Sequence, residues 1–232
     1  MPKTSRIEHY RREVSRVEGF SDAVFGFAVT LLVVSLEVPR TFHDLLLMMR
    51  CFPAFAVSFA LLFQNWWRHY RFFRNYELED SYVIMLTAIL LFVVLFYVYP
   101  LKFLWSLVFL QVTGHAARDM LPPDQTWALF VIYGLGVAAS FGTLAAMYRH
   151  AYTSRTALNL TPVEAMYARV DTYSNISLAG IGLMSAVVAA VLNVVAPRSV
   201  GIAGLMYFLI GISEWTLGAY RGRLERRMME SA

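Results

Sequence analysis

The chain has 232 residues, of which 58% are hydrophobic, 15% aromatic and only 16% charged, with a formal net charge of +4. That composition excludes an ordinary soluble globular domain, and the charges sit in short blocks between long apolar runs, the pattern of a polytopic membrane protein. The single cysteine, Cys51, excludes an intramolecular disulfide, and no Cys/His cluster has metal-ligand spacing.

A basic arm opens the chain, with Lys3, Arg6, Arg11, Arg12 and Arg16 before residue 20. It has the look of a signal-peptide n-region, but the apolar stretch behind it is too long and no small-residue cleavage site follows. Six apolar runs then come near the ~20 residues that a helix needs to cross the hydrocarbon core. They are Phe20–Val38, Leu45–Trp67, Tyr82–Pro100, Trp127–Tyr148, Ile176–Ala196 and Val200–Tyr220. Leu101–Val112 is still apolar, so the third run either bends and continues past Pro100 or is followed by a short outer helix. The expected fold is all-α with six transmembrane helices in one domain, residues 1–232, with a cytoplasmic arm over 1–19 and a basic tail over 221–232.

Arginines and lysines set the expected orientation. Fifteen of the twenty fall in the arm, in the loop with Arg68, Arg71 and Arg74, in the loop with Arg149, Arg155 and Arg169, and in the tail with Arg221, Arg223, Arg226 and Arg227. The other five are Arg40, Arg50, Lys102, Arg118 and Arg198. Such a bias over short loops places both termini in the cytoplasm. It also explains the basic charge, so no nucleic-acid partner is needed to account for it.

The most informative segment is Arg16–Val34. A carboxylate, Asp22, stands just inside the first apolar run, where an ionised group is expensive and needs a partner. At 100° per residue, Leu31 and Val34 fall within about 40° of Phe27 and Thr30 about 60° from it, whereas Ser21 and Asp22 lie about 120–140° away. One face is therefore an apolar stripe with one hydroxyl; another carries a polar pair, aimed at neighbouring helices where its hydrogen-bond partners must be. Almost every position is apolar, so periodicity leaves the stripe free to face lipid, another helix or a pore. Arg16 is not on the face of Asp22, so any pairing between them crosses between helices.

Weaker signals lie further along. Gly134, Ala138, Gly142 and Ala146 repeat at i+4 and form a small-residue ridge for close helix packing. Glu214 is a second intramembrane carboxylate, for which Arg149, His150 or a tryptophan N–H is the expected structural partner, with a proton relay as the alternative. Glu37, at the outer end of the first helix, either raises the local cation concentration or is simply solvated. Asn175-Ile176-Ser177 matches a glycosylation sequon on the cytoplasmic side, where it has no meaning. No Ser/His/Asp constellation, phosphate loop or zinc signature is present, so no catalytic residue, bound metal or cofactor is expected and an enzyme is not the reading.

The pattern R-x3-F-S-D formed by Arg16, Phe20, Ser21 and Asp22 resembles that of the transmembrane protein 175 family, the lysosomal potassium channel and its prokaryotic single-repeat relatives. Trp66-Trp67-Arg68-His69-Tyr70 is similar to that family's W-x2-H-H ending, and Leu90–Pro100 looks like its aromatic, Pro-terminated third span. The resemblance implies a pore lined by the first helix, which the motif residues hold against its neighbours. It places the apolar constriction on Phe27, Leu31 and Val34, and the hydroxyl layer implicated in potassium preference on Thr30. His69 becomes a structural polar position. Two residues depart from the pattern: Phe27 stands for the usual branched aliphatic, and Tyr70 stands where a second histidine is common.

One such helix per subunit cannot enclose a pore, so a cyclic oligomer is required, and the resemblance implies a homotetramer. The expected function is passive conduction of potassium, and less readily of other monovalent cations, across the bilayer of a prokaryotic cytoplasmic membrane. Constriction by dewetting is the expected mechanism. The rivals are a proton- or cation-coupled secondary transporter, which interrupted helices and inverted halves would support, and a non-conducting membrane scaffold closed by Phe27.

Overall fold

The computed structural model describes residues 14–34, 40–50, 52–112 and 122–230. The elements in chain order are α1 (Arg16–Val34), α2 (Phe42–Arg50), α3 (Phe52–Tyr76), α4 (Ser81–Val112), a 3-10 turn (Pro123–Gln125), α5 (Thr126–Thr153), α6 (Pro162–Val195), a 3-10 stretch (Pro197–Tyr207) and α7 (Phe208–Glu230). Among the described residues five segments are long and apolar enough to cross a membrane: Arg16–Val34, Ser81–Phe109, Thr126–Thr153, Pro162–Val195 and Pro197–Leu224.

The second expected run differs most from its reading. Leu45–Trp67 falls across α2 and α3, whose described residues end at Arg50 and resume at Phe52, with Pro53 in the first turn of α3. The long helix then runs on to Tyr76, and its second half carries Gln64, Asn65, Arg68, His69, Arg71 and Arg74. Those polar groups keep α3 below the apolarity of a lone spanning helix, and they are accommodated by facing the bundle. His69 is fully buried and Arg68 is paired.

Other boundaries moved for local reasons. Pro100 does not end the third run; α4 continues as a single helix of 32 residues with the proline inside it. α6 begins at Pro162, fourteen residues before the expected Ile176. A capping box sets that start: the Thr161 side chain accepts from the Glu164 N–H, Glu164 accepts from the Thr161 N–H, and Pro162 occupies the first turn. The last run opens in 3-10 form for eleven residues before becoming α-helical at Phe208.

The core gathers side chains from five helices, with Leu32 of α1, Phe72 of α3, Leu90 of α4, Leu144 and Tyr148 of α5 and Leu178 of α6 all shielded from solvent. α5 and α6 pack most closely. A Cβ on Gly134 would overlap the Gly182 carbonyl, and one on Gly182 would stand 2.8 Å from the Gly134 carbonyl, so the backbones touch because neither residue has a side chain. The small-residue ridge is thus used at Gly134 but not along its whole length, since a Cβ on Gly142 would meet nothing. Gly136, off the ridge, admits the ring of Tyr97, whose hydroxyl donates to the Tyr133 carbonyl at 2.8 Å. α7 lies on the outside of the bundle with most of its apolar residues exposed.

Candidate pore helix and its polar anchors

Glu18, Ser21, Phe25, Ala28 and Leu32 form the packed face of α1, alternating at three- and four-residue steps. The centre of that face lies about 140° from Phe27 on the helical wheel. Phe27, Val34 and Phe20 point the other way and are 57%, 77% and 65% exposed. Thr30 is exposed on the same side, and its hydroxyl donates to the Phe27 carbonyl at 2.7 Å. A hydroxyl that spends its proton on its own backbone turns its lone pairs outward. Leu31 sits about 40° towards the packed side and is half-buried against the core. The three expected constriction residues are therefore not equivalent: Phe27 and Val34 share the outward face with Thr30, while Leu31 bridges the two faces. Glu37 lies outside the described residues, as does the arm before residue 14.

Asp22 projects sideways and accepts a hydrogen bond from the indole N–H of Trp66 on α3 at 2.7 Å. Arg16 is exposed and forms no ion pair with Asp22 among the described residues. The Ser21 hydroxyl is buried and donates to the Val17 carbonyl, 2.7 Å away, which satisfies it inside its own helix. Trp66 is itself fixed by rings on either side, Phe63 at 5.1 Å and Tyr70 stacked at 5.4 Å. These belong to an aromatic file, Phe52–Phe55–Phe59–Phe63–Trp66–Tyr70, along one side of α3 with neighbouring centroids no more than 6.3 Å apart. His69 is behind α1, between Phe25 at 5.8 Å and Phe73 at 4.9 Å, and its Nε2 is 3.5 Å from the Thr87 hydroxyl of α4. Its position is within the packing of the chain itself.

Glu214 finds a different partner from those expected. It pairs with Arg68 of α3 at 3.1 Å and accepts from the Ser174 hydroxyl of α6 at 2.6 Å. Neither Arg149 nor His150 reaches it, because the face of α7 that bears Glu214 lies against α3 and α6 rather than α5. Arg68 is almost enclosed and makes further contacts: it donates also to Ser174 at 2.9 Å and Asn175 at 3.2 Å, and lies over the Phe141 ring at 5.6 Å. The Tyr148 hydroxyl holds the Arg68 backbone carbonyl at 2.8 Å. One turn along, Asp171 of α6 pairs with Arg71 at 3.3 Å and approaches Arg221 of α7 at 4.0 Å. Sequence reasoning missed Asp171 and Ser174, and it noticed Asn175 only as part of a sequon. Their spacing of three and four residues inside an apolar helix was the available signal.

These contacts collect the charges at one end of the bundle. The ends of α3, α5 and α7 and the starts of α4 and α6 meet there, joined also by Asp80, which precedes α4 and contacts His150 of α5 at 2.6 Å. Partial burial raises the Asp80 carboxyl pKa, but the bonds from the Val83 N–H and from His150 outweigh that and hold it below its ordinary value. Arg40 and Arg198 are not among them. The arginine asymmetry of the sequence is thus an asymmetry of the folded object.

A bundle of long apolar helices in which the carboxylates Asp22, Asp171 and Glu214 find partners on neighbouring helices, and whose first helix keeps one exposed stripe, defines an integral membrane protein of the multi-pass helical class. Residues 16–97 match the family described as endosomal/lysosomal potassium channel TMEM175. A potassium channel of Marivirga tractuosa is 34% identical over 227 residues, spanning 94% of this chain and 92% of that relative. The chain belongs to the TMEM175 family. A crystal structure of the potassium channel MtTMEM175 with a nanobody–MBP fusion superposes with a TM-score of 0.79 at 33% identity, covering 92% of this chain and 95% of the other. The fold is also that of a TMEM175 homologue from Chamaesiphon minutus, with a TM-score of 0.57 at 23% identity over 87% of this chain and 96% of that one. The relatives carry the names of channels, not of enzymes.

Proposed function

We propose that the chain is one subunit of a potassium-preferring cation channel that conducts passively through a pore lined by α1 in a homotetramer. The observation that carries this reading is the outward stripe of α1, where Phe27, Thr30 and Val34 stay exposed on a helix whose opposite face is fully packed. An exposed helix face with a lone-pair-presenting hydroxyl between two apolar side chains suits a pore better than lipid. Repeated around an axis, Phe27 and Val34 form apolar rings that exclude water when narrow, with Leu31 supporting them from behind, and Thr30 forms an oxygen layer that replaces part of an ion's hydration. Potassium is the permeant, and no cofactor is called for. The names of the similar channels support the choice of ion.

Asp22 and Trp66 fix the rotation of α1 about its axis, with Ser21 and the other motif residues Arg16 and Phe20 at its entrance. The arginine-rich end of the bundle faces the cytoplasm, which puts both termini there in the plasma membrane of a prokaryote and makes residues 1–232 one transmembrane domain.

Four phenyl rings converging at Phe27 keep the resting flux low. Potassium flux into proteoliposomes of the purified chain tests the reading directly. Wild type is expected to pass potassium faster than sodium without a coupling gradient, and Phe27→Asn, which shrinks and wets the ring, is expected to raise that flux. Uptake that needs a proton or sodium gradient would instead indicate a transporter. An assembled but silent protein in both forms would indicate a scaffold.

A further inference from the structure

On the flank of the bundle a groove of about 570 Å³ opens between α4, α5 and α6. Gly142 and Ala146 of α5 and Ile176 and Ala179 of α6 make its floor. The space over Gly142 is open, since nothing stands within 4 Å of where its Cβ would be. At one end the groove reaches Arg149 and Tyr82.

The chemistry of that end is selective. His150 is engaged with Asp80 at 2.6 Å and stands edge-on to the Tyr82 ring at 4.9 Å. Arg149 is exposed and has no hydrogen bond or ion pair among the described residues. It directly follows Tyr148, where the apolar run of α5 ends, and this is the level of the lipid headgroups. From Gly142 to Arg149 the groove runs about 10 Å along α5, which lies within the ~15 Å depth of one leaflet of a ~30 Å hydrocarbon core. An apolar channel within one leaflet, ending at headgroup level in a guanidinium that forms no ion pair among the described residues, is complementary to one kind of molecule.

We propose that this groove binds an anionic phospholipid, with the phosphate on Arg149 and an acyl chain along the floor past Gly142. A zwitterionic lipid fills the same floor but gains less at the single cation, so the preference resides in Arg149. The proposal needs only that the helices span a membrane, and it stands whichever ion the protein conducts.

Native mass spectrometry of the full chain in detergent, titrated separately with phosphatidylglycerol and phosphatidylcholine, tests it. Wild type is expected to retain phosphatidylglycerol in preference. Arg149→Gln is expected to reduce that preference about fivefold, the factor given by the ~1 kcal/mol that one basic residue contributes near an anionic headgroup. Gly142→Leu, whose side chain enters open space, is expected to lower retention of both lipids with wild-type thermal stability. Unchanged preference in the first variant with unchanged retention in the second overturns the site. Loss of the oligomer in Gly142→Leu with lipid retention intact also overturns it and assigns the groove to a contact between subunits.

Discussion

The bond between Asp22 and Trp66 is the smallest unit on which the rest depends. It places a carboxylate oxygen 2.7 Å from an indole N–H, joining the start of α1 to the middle of α3 across 44 residues of sequence. A hydrogen bond to a charged group contributes about 1.5–3 kcal/mol, and leaving the carboxylate half-buried without its donor costs a similar amount. Trp66→Phe keeps a ring between Phe63 and Tyr70 while deleting only the N–H, so it separates the bond from the stacking. The expected result is a lower melting temperature in detergent and less oligomer on size-exclusion chromatography. A Trp66→Phe protein that melts and assembles like wild type would remove this bond from the account. That Asp22 needs a partner was legible in the sequence, because a carboxylate cannot stand alone in an apolar run. Which residue answers it was not, since Trp66 is brought near only by the packing of α3. Glu214 repeats the lesson: Arg149 and His150 were plausible by depth, yet Arg68 is the one that faces it.

Helices were located by apolar length, and their ends by signals that apolar length ignores. Thr161-Pro162-Val163-Glu164 spells the capping box that starts α6, and reading it would have placed that start correctly. The i+4 ridge on α5 was legible as a packing device, but only backbone geometry separates Gly134, which touches Gly182, from Gly142, which touches nothing. Gly134→Ala is accordingly expected to destabilise the protein by about 1–3 kcal/mol through overpacking, while Gly142→Ala leaves the thermal midpoint within error. Equal effects from the two substitutions would contradict the observed approach of α5 to α6. The polar contacts of α7 lead to another expectation. This helix has little buried apolar surface, and the Arg68–Glu214–Ser174 cluster ties it to α3 and α6. Arg68→Ala should raise hydrogen exchange in α7 well above the change in α5, because exchange reports local opening. Glu214→Gln, which retains an amide oxygen for the same donors, should do so less. A uniform rise over all helices would mean that Arg68 serves the core rather than the attachment of α7.

At the scale of the whole molecule, the sequence already carried the membrane class, the all-helical fold and the charge asymmetry, because each is a property of composition along the chain. The rotation of α1 is not legible in the sequence, since its stripe is apolar like the rest of the helix. The fold resolves the subunit's side of the question by burying Phe25, Ala28 and Leu32 and leaving Phe27, Thr30 and Val34 exposed. In the proposed tetramer, assembly decides what the exposed face meets, and the central claim is that it meets the permeating ion. A thiol placed at Thr30 tests this most directly. In a Cys51→Ser background, which removes the single native cysteine, Thr30→Cys is made in the reconstituted protein and exposed to a cationic methanethiosulfonate reagent while potassium flux is followed. The account predicts that flux stops as the cysteine is modified, with no effect of the reagent on the Cys51→Ser parent. Complete modification of Cys at that position, verified by mass, with potassium flux unchanged would contradict it.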